Sequence, residues 1–547
     1  MHSPRRLAVG LAACAALGAC AGGGPGAVMP ASTPSPPSSP PPPSPVTGTD
    51  VLTYKYDLSR SGLNPTESVL TPANVAPASF GLLRVLSVDG KVDAQPLYVS
   101  KLSIAGAPHN AVIVATEHDS VYAFDSDTGA SLWQVSLLGN GEGLSDTHGC
   151  GQVTPEIGIT STPVIDRGAG AHGTVFVVAM SKDASAYHQR LHALDLGTGA
   201  ELLHGPVEIS ATFATAGGGT TTFSPGQYEE RAALLLTNGT IVTSWTSHCD
   251  IPPYSGWIIA FAEHPLARTA ILNVGPNGNA GPAIWMSGGG PAVDSAGNVF
   301  LLTANGAFET VLDAGGFPQH GDFGNSFLKV AMTGGTLTVA DYFTMSNEVA
   351  ESAADRDLGS GGALLLPDMT DAAGAVRHLV VGAGKDGNIY VVDRDSMGKF
   401  SAAANAIWQQ LTGALPGGIW STPAYFNGSV YYGDANSTLK AFSVAHAKLS
   451  SAPQSQSPTH FTSPGTAPSV SANGSANGIV WAHENSNPAV LHAYDAANLA
   501  TEIYNSNQAA GGRDQFGAGN KFVTPTVADG KVFVGTTNGV AVFGLLH

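Results

Sequence analysis

The stretch "VYAFDSDTGASLW" (residues 121–133) reads as an apolar strand, an Asp, two residues, Thr-Gly, and a second strand ending on Trp. The chain writes nearly the same text again as "LHALDLGTGAELL" (residues 191–203). Superposing Asp125 on Asp195 also aligns Ala123 with Ala193, Thr128 with Thr198, Gly129 with Gly199, and Trp133 with Leu203. Self-similarity of this kind marks a repeat architecture. The turn chemistry is that of a hairpin in which Gly takes the left-handed position.

Around this hairpin a second element recurs, a short apolar strand approached through a small residue and Pro. It occurs as "AQPLYV" (Pro96), "STPVID" (Pro163), "GGPAVD" (Pro291), "STPAYF" (Pro423), "TAPSVS" (Pro468) and "VTPTVA" (Pro525). Two of the gaps are roughly twice the others, so each should hold a unit without its Pro. "RAALLLTNGTIVTSW" from Arg231 and "GSGGALLLPD" from Gly359 fill them. Within a unit the order is strand, turn, strand, polar tip, strand, Asp-x-x-Thr-Gly turn, strand. Eight such units predict an all-β, eight-bladed β-propeller of four-stranded antiparallel blades over residues 51–547. Pro suits the first strand of each unit because that strand is an edge facing the channel. The last unit supplies three strands, and "FGLLRVLSVDG" (residues 80–90) is expected to give the fourth, so that an N-terminal strand closes the ring. Two stacked sandwiches are the alternative. The composition agrees with strands and turns, with 68 Gly, 36 Pro and 12% charged residues.

Residues 1–19 place Arg5 and Arg6 ahead of a short apolar run, the pattern of an export signal. "LGAC" (residues 17–20) has the form of a bacterial lipoprotein box, which predicts lipidation of Cys20 and attachment to a membrane through acyl chains alone. Ala21 at the following position favours the outer membrane of a cell envelope. Residues 20–50 are rich in Pro and Ser without apolar periodicity, a disordered spacer reaching about 90 Å at about 3.1 Å per residue. The net charge of −18 becomes more negative once Arg5 and Arg6 leave, which excludes nucleic acid and anionic headgroups as partners.

In a propeller the tips between second and third strands, and the loops leading from blade to blade, share one face. On that face fall His118, Asp119, Glu156, Trp285, Asp357, Lys385, Trp420, Glu484, Asn485 and Asp514. Such a mixture around one axis suits a ligand mouth; for Trp285 and Trp420, packing between blades is the alternative. Cys150 and Cys249 map to the same face, and in an oxidising compartment a disulfide is preferred. Free thiols, or a tetrahedral metal site completed by His148 and His248, are the other readings.

On its hairpins the chain resembles the quinoprotein-like propellers, the pyrroloquinoline quinone (PQQ) repeat proteins, as a lipoprotein member. Their outer-strand signature Ala-x-Asp-x-x-Thr-Gly-x-x-x-Trp is matched in full by Ala123, Asp125, Thr128, Gly129 and Trp133. The second copy has Leu203 for Trp, and "YVVDRDSMGKF" and "HAYDAANLATEIY" are looser. The resemblance spans residues 52–547 and implies architecture more than chemistry, because the Trp locks neighbouring blades. It also implies a dehydrogenase oxidising an alcohol or sugar, with PQQ stacked on a Trp, Ca²⁺ held by Glu and Asn, and an Asp as base. Asp357, Asp514 and Glu156 are then candidates for the base. Glu484, Asn485, Trp285, Trp420, Lys385, His118 and Asp119 are candidates for cofactor binding. Against this stand the missing adjacent Cys-Cys pair and Cys-x-x-Cys-His haem motif. The expectation drawn from the sequence is a tethered, monomeric head whose polar face binds a small molecule, glycan or envelope protein, with the PQQ-dependent dehydrogenase as the alternative.

Overall fold

Eight antiparallel sheets arranged as blades carry the chain, in a computed structural model that describes residues 50–278 and 280–546. The signal sequence, Cys20 and nearly all of the Pro/Ser spacer lie outside the described residues. Blade 1 has strands Leu97–Ile104, Ala107–Ala115, Ser120–Asp125 and Ser131–Ser136. The two units expected without their Pro are present, with inner strands Leu235–Thr237 in blade 3 and Leu364–Leu365 in blade 5. No helix among the described residues is long and apolar enough to cross a membrane.

The repeated hairpin explains itself at atomic scale. Asp125 Oδ1 accepts hydrogen bonds from the backbone of Asp127 and Thr128 and from the Thr128 hydroxyl, at 2.8–3.1 Å. Gly129 then turns the chain at φ +79°, a conformation open to glycine without strain. At the end of the hairpin, Trp133 Nε1 donates to the Leu196 carbonyl of blade 2 at 2.9 Å. A Cβ on Gly199 would lie 2.8 Å from the Trp133 ring. The motif thus fastens blade 1 to blade 2, and Gly199 leaves room for the fastening.

Two of the looser copies depart from the expected strand. After Asp195 the outer strand of blade 2 begins only at Val207, because Leu203 and His204 take left-handed conformations just before Gly205-Pro206. After Asp393, Lys399–Phe400 leaves blade 5 and pairs in parallel with the outer strand of blade 4, and Gln409–Leu411 becomes the fourth strand of blade 5.

Ring closure is as the pattern predicts: Phe80–Ser87 pairs antiparallel with Gly539–Leu545, running from Phe80 opposite Leu545 to Ser87 opposite Gly539. Apolar seams between sheets form the core, with Trp245, Trp257 and Trp481 fully buried.

A second N-terminal element was not anticipated. Residues 50–66 cross the channel and bond to the inner strand of every blade, in blade 3 to the residue just before it. Val51 pairs with Tyr98 in blade 1. The carbonyls of Leu52, Leu58, Ser59, Ser61 and Gly62 accept from Ile165, Val293, Leu365, Tyr425 and Val470, at 2.7–2.9 Å. Arg60 donates to Leu234 O at 3.4 Å, and Asn64 Nδ2 donates to Val527 O at 2.9 Å. The inner edges expected to face an open channel are therefore covered by this plug, which satisfies their free groups.

Candidate functional site

Above the plug, the loops on one face surround a cavity of ≈ 240 Å³. Six blades contribute, each through one or both of the same two places, the loop before its inner strand and the tip between its second and third strands. Blade 3 gives Cys249 and Asp250 at its tip; blade 4 gives Trp285 and Ser287 before its inner strand. Blade 5 gives Asp355, Asp357 and Ser360 from its leading loop and Lys385 from its tip. Trp420 precedes blade 6, Phe522 precedes blade 8, and Gln152 precedes blade 2.

The centre of this set is an ion-paired cluster. Asp357 Oδ2 lies 2.5 Å from Lys385 Nζ, while its Oδ1 accepts the Asn305 backbone N–H at 2.8 Å. Lys385 also reaches both oxygens of Asp355 at 3.1 Å, and Asn305 Nδ2 donates to Asp355 at 2.9 Å. Burial pushes the Asp357 carboxyl above its ordinary range, against the pull of Lys385. Burial also works against the Lys385 charge, but Asp357 and Asp355 more than offset it and its pKa is raised. Trp285 Nε1 donates to Asp250 at 3.4 Å. The lining thus carries three carboxyl side chains and one ammonium, with two indoles.

Backbone strain collects at the same place. Cys249, Asp250, Ser287, Asp355 and Phe522 all have φ between 47° and 67°. Left-handed conformations are costly for such residues, and they cluster at ligand sites when the surroundings hold them.

Cys150 and Cys249 are joined as a disulfide that links the loop before blade 2 to the tip of blade 3. Both thiols are consumed, so the tetrahedral site with His148 and His248 is not formed. The two imidazoles instead stack at 4.2 Å between centroids, and burial lowers each to about 4. No group of three or more His, Cys, Asp or Glu placed to hold a metal occurs among the described residues.

Of the residues singled out from sequence, Asp357, Lys385, Trp285, Trp420 and Cys249 meet in this cavity. The rest do not line it. Glu156 bonds His118 Nδ1 at 2.8 Å on the rim. Asp119 is fully buried with neither carboxyl oxygen hydrogen-bonded, and burial, then Glu142 and Glu156, hold it well above the usual range. Glu484 faces His492 Nε2 at 3.4 Å, within blade 7. Asn485 packs against Gly519 of the following loop. Asp514 is buried and accepts from Leu82 N, Arg513 and the Tyr504 hydroxyl, which clamps the ring-closing strand. Gln152, Ser287, Asp355, Ser360 and Phe522 were missed. Position in a leading loop or tip is the signal that would have found them.

No family model and no curated protein matches the chain. Solved structures do. A quinohemoprotein alcohol dehydrogenase from Comamonas testosteroni is similar at 15% identity and TM-score 0.59, covering 91% of this chain and 80% of that one. A quinohemoprotein alcohol dehydrogenase from Pseudomonas putida gives 14%, 0.58 and the same coverage. A europium-containing methanol dehydrogenase gives 14% and 0.59, over 91% of this chain and 99% of its own. At these identities the likeness is one of fold.

Proposed function

We propose that the propeller is a binding head for a hydroxyl-rich small molecule, a sugar or an alcohol, taken up in the top-face cavity. One observation carries this reading: Trp285 and Trp420 share a single small cavity with Asp250, Asp355, Asp357 and Lys385. Indole faces pack against the C–H faces of a sugar ring, carboxylates accept its hydroxyl protons, and Lys385 donates to its oxygens. Isothermal titration with neutral hexoses and short alcohols tests it. Trp285→Ala and Trp420→Ala should each weaken binding about tenfold, the worth of one lost aromatic contact. Absence of binding to any of them by the unaltered chain overturns it.

A second reading is favoured by the indole of Trp285 sharing the cavity with the Asp357–Lys385 pair. It is PQQ-dependent oxidation of the bound hydroxyl compound. Trp285 offers a face for the ring system, and Asn305, Asp355 and Asp357 carry oxygens of the type Ca²⁺ takes, but a cation there would have to displace the Lys385 ammonium that now holds both carboxylates. When bound, PQQ would supply a two-electron acceptor. Asp357 would take the hydroxyl proton, for which its Oδ2 must leave Lys385. Titration with PQQ and Ca²⁺, followed by absorbance and melting temperature, checks this; no shift at cofactor excess removes the reading.

Tethering through a lipidated Cys20, in the outer membrane, completes the proposal. Radiolabelled palmitate should mark the chain and fail to mark Cys20→Ser.

A further inference from the structure

Behind the wall of the cavity lies a second group of charges, largely buried. Arg231, in the loop before blade 3, is 2% exposed. Its Nη1 stands 3.3 Å from Glu229 and 3.8 Å from Asp93, and its Nε has no hydrogen-bond partner. Lys91 holds Asp93 at 2.8 Å, and Lys521 donates to Gln152 of the pocket wall at 2.9 Å. Nearby, the buried His248 Nε2 is also without a partner.

Three cationic side chains, Lys91, Arg231 and Lys521, gather in this group. Burial, then Asp93, pushes Glu117 well above the ordinary range, and burial raises Glu229 despite Arg231. Asp93, although burial opposes its charge, is held low by Lys91 and Arg231. Asp93 is thus shared by Lys91 and Arg231, while Lys521 bonds the neutral side chain of Gln152. A buried charged donor left unpaired is costly, and such groups call for an explanation.

Phe522 separates this group from the cavity. Its ring lines the cavity on one side and covers the Arg231 guanidinium, 4.6 Å away, on the other. Its backbone is held at φ +67°, an outlier for a bulky residue.

We propose that the cavity continues behind Phe522 into a carboxylate-binding recess formed by Arg231 and Lys521, and that the hydroxylated ligand is therefore an acid of the aldonate or uronate class. This rests on the hydroxyl-compound reading above. Hydroxyls engage Trp285, Trp420 and the Asp side chains, while the acid group displaces Phe522 and gives Arg231 Nε its missing acceptor. A carboxylated quinone presents the same chemistry, so both sources enter the test.

The experiment is calorimetric titration of the full chain with D-glucuronate, D-glucose and PQQ. Glucuronate should bind at least about tenfold more tightly than glucose, the worth of one charge-assisted hydrogen bond. Lys521→Gln and Arg231→Gln should abolish that preference and leave glucose binding intact. Arg231→Gln breaks a buried ion pair, so Lys521→Gln, at a half-buried site, is the variant that keeps the test usable should the other fail to fold. Equal binding of glucose and glucuronate overturns the recess and spares the sugar reading, as does a preference untouched by Lys521→Gln. Binding of PQQ alone, weakened by Lys521→Gln, keeps the recess, assigns its carboxylate to the quinone and removes the sugar acid. Failure of all three compounds overturns both readings.

Discussion

Lys55 shows what a single residue can reveal about the centre of the molecule. It is fully buried in the plug, where Nζ donates to the carbonyls of Pro468 and Pro423. Burial lowers its pKa to about 7 from 10.5. Between those values the unfolded chain binds more protons than the folded one, so stability rises with pH across that window. Lys55→Met removes this titration while keeping the stem. The variant should melt higher than the parent at pH 7, by about 2–4 kcal/mol at roughly 1.4 kcal/mol per unit of pKa shift less the lost hydrogen bonds. The advantage should shrink towards pH 10, and a difference that stays flat from pH 7 to 10 would show that Lys55 carries its charge at no cost. Nothing in "DVLTYKYDLSRSGLNPT" announced this role: the segment has no strand periodicity, and its partners lie far along the chain.

Among the elements, the outer hairpin was the most legible because its information is local. Asp125, Thr128 and Gly129 satisfy one another within five residues, and only the reach of Trp133 into blade 2 is long-range. Trp133→Ala should lower stability by about 2 kcal/mol, since a half-buried ring and one hydrogen bond are lost. A drop in melting temperature with unchanged ligand binding is the expected result, and loss of binding at unchanged stability would contradict a purely architectural Trp. The looser copies were less legible for a physical reason. Leu203 with its left-handed backbone, and Lys399–Phe400 with its parallel partner in blade 4, depend on neighbours that a period cannot encode. The pocket lies between these cases. Trp285, Asp357, Lys385 and Trp420 were found by position in a tip or loop, and the same rule misled for Asp514, whose partners Leu82 and Tyr504 make it a clamp.

At the scale of the whole molecule, two separate N-terminal stretches complete the ring, one at its outer edge and one at its axis. A chain beginning at Phe80 would keep the closing strand and lose the plug. It would then expose inner-strand edges of all eight blades, together with the buried donors and acceptors that residues 50–66 satisfy. Unpaired edges invite association. This shortened chain should therefore aggregate or melt well below a chain beginning at Asp50, as read by light scattering during a thermal ramp. Equal melting and a monomeric scattering mass for the two would show that the blades hold their shape unaided.

The plug also decides how the head bears a mechanical load. Tension applied at Asp50 and Val51 runs along residues whose bonds are spread over eight blades around a hub. A pull of that kind is shared among many bonds across the axis, whereas a tether attached to a peripheral hairpin would peel one blade at a time. The two attachments differ as an anchor shackled to the keel differs from one tied to the rail.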